Sequence, residues 1–418
     1  MHRLLRGLWP CVLSIALTCA MGTASAQTLT LEEAWRIAEE ANPALKSARA
    51  NRYSLEGQKA QNDALLFNNP TLGFDPTRRV VPQAGGPDMR FREWGAALSQ
   101  TFEIAGQQGH RRDASRHDLG AFDASLDEAR RQLRAEVEEK FVRVLTLQRR
   151  ITLETENLKL VDSAAAAMGK RVAAGEASRL EGNLASVEAE RTRNQIGLLS
   201  ENLTAARADL AALLQLPAAH LPVASGDIAK TAEYDRGKLL EAASRRPQFA
   251  ALQGREQAAR SRLELERASA YPDVTLGVTA GREGPPEFRE NVVGLAISVP
   301  LPLFRRNQAG IGKAMTELTQ AQVERQAAER DVVAGVIAQL ARVEQLRERT
   351  IRLRKSVLPP LEENLRLSQS AFREGEIGLT ELLLINRQVL DGRRDALEAE
   401  TELRLAQIAL ERAAGFAQ

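Results

Sequence analysis

The segment RVAAGEASRLE at 171–181 is matched 200 residues later by AFREGEIGLTE at 371–381. A glycine followed by a glutamate stands at the centre of both copies, as Gly175 with Glu176 and as Gly375 with Glu376. The stretch 107–174, which runs into the first copy, has no proline and only three glycines, which predicts one very long helix. Each copy is therefore expected to be a glycine turn that reverses a long helix.

Other segments repeat with nearly the same offset. WGAALSQ at 94–100 corresponds to VGLAISV at 293–299, and ANPALKSA near Pro43 corresponds to RRPQFAAL near Pro247. A unit of this length that occurs only twice is not a solenoid, whose repeats are about 20–50 residues long. We interpret it as an internal duplication, with repeat 1 at 27–220 and repeat 2 at 221–418. Each repeat is expected to hold a helix pair, a β-hairpin and a long helical hairpin.

The long helices carry coiled-coil patterning. Along the first of them, three- and four-residue spacing joins a series of mostly apolar positions. These are Leu133, Val137, Phe141, Val144, Ile151 and Leu158, with Gln148 and Thr155 filling the two gaps. The second copy repeats this pattern from Val336 to Val357. We expect long helical hairpins at about 106–215 and 307–415, with a bend at Pro359–Pro360, where proline interrupts helical hydrogen bonding.

Four short segments alternate apolar residues with small or polar ones, as strands do when one face is apolar. They form two expected hairpins, at about 69–103 and 272–301. A membrane β-barrel and a half-exposed soluble sheet share this alternation, but aromatic residues concentrate around these strands, as they do at membrane interfaces. Four strands cannot close a barrel, and open edges are not tolerated in lipid. Three chains would supply 12 strands and leave a lumen.

Residues 1–26 have the features of a signal peptide: Arg3 and Arg6, then an apolar run, then Ala24–Ala26 as a cleavage site. Both cysteines, Cys11 and Cys19, lie within it, so the mature chain can form neither a disulfide nor a thiolate metal site. Cleavage removes two of the 57 basic residues and none of the 55 acidic ones. The mature chain is then neutral, which argues against a nucleic-acid partner.

In these features the chain resembles the TolC family of outer-membrane efflux ducts, over 28–416. SVPLPLFRRNQAGIGKA at 298–314 is similar to the strand-to-helix junction of the heavy-metal, CzcC-like branch, and LSQTFEIAGQQGHRR at 98–112 corresponds to it in repeat 1. The resemblance implies a mainly α fold with a small β part. Three chains would share a 12-strand outer-membrane β-barrel, four strands from each, and an α-helical barrel that crosses the periplasm.

The resemblance also implies partners and sites. A periplasmic adaptor and an inner-membrane pump of the resistance-nodulation-division type would complete the system, with outer-membrane lipid around the barrel. The glycine turns would be periplasmic tips that meet the adaptor, through Gly175, Glu176, Gly375 and Glu376. Glu181 and Glu381 would form acidic rings that constrict the pore, although an ordinary exposed acid is the alternative for both.

The expected function is export of heavy-metal cations of the cobalt, zinc, cadmium or nickel type. A drug or other small-molecule exporter of the same family is an alternative, and a periplasmic adaptor protein is a second one. We find no pattern of an enzyme, a cofactor site or a resident metal site. His110 and His117 are seven residues apart and share a helix face, but we interpret them as solvated side chains.

Overall fold

A computed structural model describes residues 28–217, 221–230 and 232–415. The predicted signal peptide, 1–26, lies outside the described residues. The first half of the described chain contains four helices and three strands: β1 (Thr28–Leu29), α1 (Leu31–Ala41), α2 (Pro43–Asn62), β2 (Thr71–Val81), β3 (Met89–Phe102), α3 (Gln107–Ala173) and α4 (Arg179–Leu213). The second half begins with β4 (Val223–Ala224), α5 (Arg236–Ser244), α6 (Pro247–Ala268), β5 (Val274–Glu283) and β6 (Glu290–Ser298). It ends with α7 (Gln308–Arg352), α8 (Leu358–Glu374) and α9 (Leu379–Ala414).

The structure therefore has the predicted fold class, mainly α with a small β part. Helix α3 has 67 residues. At a rise of about 1.5 Å per residue, this helix is about 100 Å long. It packs against α4, α6 and α9, while α7 packs against α6 and α9. A helix of this length is stable only because these neighbours cover its apolar stripe.

A π-helical segment, Leu353–Val357, joins α7 to α8 immediately before Pro359 and Pro360. The backbone N–H of Leu358 donates to the carbonyl of Leu353, five residues earlier. The wider turn accommodates two prolines that cannot donate a hydrogen bond, which is the interruption expected from the sequence. Helix α3, which has no proline, runs without a break.

Both long helices begin at a residue in the left-handed backbone region. Gly106 precedes α3 with φ of 82°, and Asn307 precedes α7 with φ of 57°. In each case the next residue is a glutamine whose side-chain oxygen accepts a backbone N–H two residues earlier: Gln107 from Ala105 at 2.8 Å and Gln308 from Arg306 at 3.1 Å. The two halves thus use the same local geometry to turn from strand to helix.

The four long strands form one antiparallel sheet in the order β2-β3-β5-β6. The β3–β5 ladder joins the two hairpins, and β2 and β6 are the outer strands. Residues in register across the sheet include a row of large apolar side chains, Leu72, Leu98, Val278 and Leu295. The next row consists of small or polar residues, Gly73, Ala97, Thr279 and Gly294.

Because side chains alternate between faces along a strand, these rows define an apolar face and a small-residue face. The apolar face is uncovered in the single chain: Leu72 is 79% exposed and Leu295 is 86% exposed. We found no described helix that is both long and apolar enough to cross a membrane.

Around residues 151–158, helix α3 departs from the predicted pattern of buried residues. Leu133, Val137, Phe141 and Val144 are buried as expected, but Ile151 and Leu158 are only partly buried. Glu154 and Asn157 are the buried residues there, because α9 packs against α3 through polar side chains. The prediction from apolar spacing was therefore wrong in this part of the helix.

Candidate functional site: the paired helix-reversing turns

The first turn reverses the chain between α3 and α4. Gly175 has φ of 76°, in a region where glycine is favoured because it has no Cβ. Its N–H donates to the carbonyl of Val172 at 3.1 Å, and the N–H of Glu176 donates to that of Arg171 at 2.8 Å. These two bonds form a Schellman motif, which satisfies carbonyl groups that the end of a helix leaves free.

The second turn, between α8 and α9, has the same geometry. Gly375 has φ of 82° and donates to the carbonyl of Phe372 at 3.2 Å. Glu376 donates to the carbonyl of Ala371 at 2.8 Å. Both glutamates and both glycines are exposed. A Cβ added to either glycine would meet no atom within 4 Å, so backbone conformation alone restricts these positions.

The two turns are attached to one apolar cluster. Its buried members are Ala164, Met168, Ala185, Leu379 and Leu382. Residues of both turns pack on it at corresponding positions: Val172 with Ala177, and Phe372 with Ile377. The turns therefore lie side by side at one end of the helical part, where they present a common exposed surface.

The two glutamates that follow the turns occupy the same helical position, the third residue of α4 and of α9. Their environments differ. Glu181 forms a capping box with Ser178. The N–H of Glu181 donates to the Ser178 hydroxyl at 3.2 Å, and its carboxylate accepts the Ser178 N–H at 3.0 Å. In the second copy Gly378 replaces the serine and provides no side-chain cap.

The hydrogen bonds at Ser178 have an electrostatic consequence. The backbone N–H of Ser178 first, and its hydroxyl second, hold the pKa of Glu181 below its usual value, because they favour the charged carboxylate. Glu381 is exposed, and the described residues give its carboxylate no hydrogen bond. Ser178 was missed in the sequence, although the S-x-x-E pattern of SRLE at 178–181 is a recognised helix-start signal.

Between the turns and the sheet, α3 and α9 are joined by a series of polar contacts. Asn386 donates to Asn157 at 2.7 Å, Arg394 binds Glu154, and Thr146 and Thr401 are hydrogen-bonded at 2.9 Å. Further along, Arg404 pairs with Glu138 inside the protein. Burial raises the pKa of Glu138, and the charge of Arg404 opposes that rise. The turns are thus mounted on helices whose relative register is fixed by specific side chains.

The described residues contain no group of three or more His, Cys, Asp or Glu side chains arranged to hold a metal ion. The candidate site is accordingly an exposed surface at the end of two helical hairpins, with acidic side chains beside it.

Comparison with protein-family models gives a match to "Outer membrane efflux protein" over residues 35–215 and 239–416. The chain belongs to this family. The match falls in two segments, one in each half of the chain, and together they include every long helix and strand of the structure. The expected membership of an outer-membrane efflux family is confirmed, and the family consists of channel proteins, not enzymes.

Three curated relatives are similar over most of the chain. The cobalt-zinc-cadmium resistance protein CzcC of Cupriavidus metallidurans is 26% identical over 88% of this chain and 86% of its own length. The pyoverdine export outer membrane protein OpmQ of Pseudomonas putida is 25% identical over 71% and 68%. The nickel-cobalt-cadmium resistance protein NccC of Alcaligenes xylosoxydans is 26% identical over 71% and 68%.

Solved structures agree on the fold. A membrane protein from Pseudomonas aeruginosa superposes with a TM-score of 0.79 at 21% identity, over 92% of each chain. CusC, described in connection with transmembrane channel formation, superposes with a TM-score of 0.75 at 19% identity, over 93% of this chain and 92% of its own. Both superpositions cover more than nine-tenths of this chain, so they support the expected fold over almost all of its length.

Proposed function

We propose that this protein is the outer-membrane duct of a tripartite system that exports heavy-metal cations. The observation that carries the proposal is the similarity to CzcC, which extends over 88% of the chain and so includes the sheet, the helices and both turns. The similarity to NccC, whose name also specifies metal resistance, supports the same substrate class.

The sheet supports a trimer. Among the described residues of the single chain, nothing pairs with the outer edges of β2 and β6, and the apolar face of the sheet is uncovered. An open sheet edge is not tolerated in lipid, so the outer strand of one copy must pair with that of the next. Three copies give a 12-strand barrel with a lumen, lined by the small-residue face. Repeat 1 (27–220) and repeat 2 (221–418) then contribute one hairpin each per chain.

The turns support docking at the periplasmic end. We assign Gly175, Glu176, Gly375 and Glu376 to the surface that meets a periplasmic adaptor, because all four are exposed and belong to turns whose neighbouring residues pack on one apolar cluster. An inner-membrane pump of the resistance-nodulation-division type would act behind the adaptor. We assign Glu181 and Glu381 to the pore constriction, where threefold repetition would concentrate negative charge and attract cations.

The substrate class is tested by deleting the gene and measuring growth on graded cobalt, zinc, cadmium and nickel, with the wild-type gene supplied on a plasmid as control. We expect lower tolerance to at least one of these cations and full rescue by the plasmid. The similarity to OpmQ favours one second candidate, export of a metal-chelating organic molecule. Unchanged metal tolerance together with loss of secreted chelator would replace the first proposal by this alternative.

A further inference from the structure

The charged residues of the four-stranded sheet are sorted between its two faces. Register and alternation place four arginines on the apolar face: Arg78, Arg90, Arg92 and Arg282. The acids of the strands all fall on the small-residue face: Asp75, Glu93, Glu283 and Glu290. Arg79, the one strand arginine on that second face, is bound to Glu93 at 2.8 Å.

The four arginines of the apolar face form a continuous basic cluster. Arg78 lies directly opposite Arg92 in the β2–β3 register. Arg90 is a diagonal neighbour of Arg78, and Arg282, opposite Trp94, is a diagonal neighbour of Arg92. Such neighbours are within reach of long side chains.

This cluster has no internal counter-charge. All four side chains are exposed, and none forms an ion pair with a carboxylate of the described residues. Like charges directly opposite each other in a sheet are destabilising. An anion bound between Arg78 and Arg92 would remove that repulsion.

The position of the cluster indicates where such an anion would be found. On β3 the uncharged part of the apolar face runs from Phe102 to Trp94, which is about 27 Å at a rise of about 3.4 Å per residue. With the strand tilt of membrane barrels, this span is about 20 Å along the membrane normal, comparable to the apolar band of about 25 Å. Arg92 lies immediately beyond Trp94, toward the hairpin turns and away from the helices.

We propose that Arg78, Arg90, Arg92 and Arg282 form a binding surface for the phosphate groups of a phosphorylated lipid in the outer leaflet. This inference rests on the proposed orientation of the duct, with its helices on the periplasmic side. Guanidinium groups bind phosphate in a bidentate manner. Phe74 and Trp94, stacked with ring centres 6.4 Å apart, lie on the same face and would contact the acyl chains below the phosphates.

The test uses the detergent-purified, delipidated trimer and measures binding of purified lipopolysaccharide by native mass spectrometry. We expect the double variant R78Q/R92Q to bind at least about tenfold more weakly than wild type, because each substitution removes a charge-assisted hydrogen-bond donor set. R78K/R92K keeps the charge but loses the bidentate geometry, so it should bind with intermediate affinity. Chemically dephosphorylated lipopolysaccharide should not distinguish the variants from wild type.

The matched control is R305Q/R306Q, which removes the same charge from exposed residues at the helical end of the sheet. We expect it to bind like wild type. Equal binding by R78Q/R92Q and wild type would overturn the proposal, as would complete displacement of the lipid by inorganic phosphate at equal concentration. R282Q provides a single-site variant if the double variant does not assemble. Outer-membrane fractionation of the wild-type protein and metal tolerance of the variant cells are measured in parallel. Absence of the wild-type protein from the outer membrane would refute the proposed duct, whereas unaltered lipid binding by R78Q/R92Q with normal metal tolerance would refute the lipid surface alone.

Discussion

The carboxylate of Glu154 on α3 accepts two hydrogen bonds from the guanidinium of Arg394 on α9, 240 residues later in the chain. The Nε and Nη2 atoms of Arg394 lie 2.7 and 2.8 Å from the two carboxylate oxygens. The Glu154 side chain is only 1% exposed, and Arg150 lies 3.6 Å from it. A buried carboxylate held in this way fixes how α3 and α9 are aligned, since any slip would leave the charge without a partner.

We predict that E154Q lowers the free energy of unfolding by about 3 kcal/mol, because it leaves two guanidinium groups beside a neutral amide in a buried place. The measurement is the thermal unfolding of the assembled protein in detergent, followed by circular dichroism. E363Q is the control: Glu363 pairs with Arg366 on an exposed helix surface, where such pairs contribute about 0–1 kcal/mol. Equal melting temperatures for the two variants would contradict the structural role given to Glu154.

This ion pair also shows what the sequence did and did not reveal. The three- and four-residue spacing of Val137, Phe141 and Val144 correctly predicts a buried helix face. The same spacing continues through Ile151 and Leu158 and there gives the wrong face. A single sequence does not specify that α9 will lie against α3 at this level, so the complementarity of Glu154 and Arg394 becomes visible only in three dimensions.

The sheet, too, was only partly predictable from the sequence. Alternation within each segment predicts two strand pairs, and the confirmed fold class contains them. The alignment of Leu72, Leu98, Val278 and Leu295 in one row depends on the β3–β5 ladder, which joins residues of different halves.

Near the turns, Gly175 and Gly375 were predictable because a left-handed helix end favours glycine. The different environments of Glu181 and Glu381 follow from Ser178 and Gly378. The two aligned copies differ at this position by serine against glycine, and the sequence alone does not indicate that this difference changes the environment of the glutamate three residues later.

The two faces of the sheet yield a second prediction. L295R places a charge on the apolar face, where it should destabilise the barrel by about 2–4 kcal/mol if the residue lies near the middle of the membrane. A296R, at the next residue, places the same charge on the small-residue face toward the lumen. We expect urea unfolding of the barrel in lipid vesicles to shift strongly for L295R and weakly for A296R. The reverse order would mean that the apolar face does not contact lipid.

The third prediction concerns the turns. G175V and G375V should abolish metal tolerance while the trimer remains in the outer membrane. The glycines have φ of 76° and 82°, where valine strains the backbone and so alters the proposed docking surface. G378V is the matched control, since Gly378 lies in the same turn with φ of -80° and has open space around its Cβ position. Tolerance is measured in cells, beside trimer level by immunoblotting.

Two results would count against this assignment. Normal tolerance in both G175V and G375V would remove the turns from the docking surface. Equal loss of tolerance in G378V would show that added side-chain bulk, and not backbone conformation, disturbs the contact with the adaptor.

The fourth prediction concerns the proposed assignment of Glu181 and Glu381 to the pore constriction. The double variant E181A/E381A removes six carboxylates from a trimer, and we expect the pore to lose its preference for cations over anions. Reversal potential in planar bilayers under a salt gradient measures this preference. Assembly should be unaffected in E381A, because the Glu381 carboxylate is exposed and forms no hydrogen bond or ion pair with the described residues. An unchanged reversal potential in the double variant would place both acids outside the pore.

The pH dependence separates the contribution of Glu181 from that of other acids. In the E381A background, Glu181 is the remaining acid of the proposed constriction pair, and its pKa is lowered by hydrogen bonds from Ser178. With a pKa below 4.5, the ordinary value, the carboxylate is still more than half charged at pH 4.5 and loses most of its charge at lower pH. The part of the cation preference that E181A removes should therefore persist at pH 4.5 and disappear at lower pH. S178A/E381A lacks the hydroxyl donor, so the pH at which half of this cation preference is lost should move upward toward 4.5. The backbone N–H of residue 178 still holds that midpoint below 4.5. A midpoint that does not respond to S178A would show that the capping box does not control the charge of Glu181.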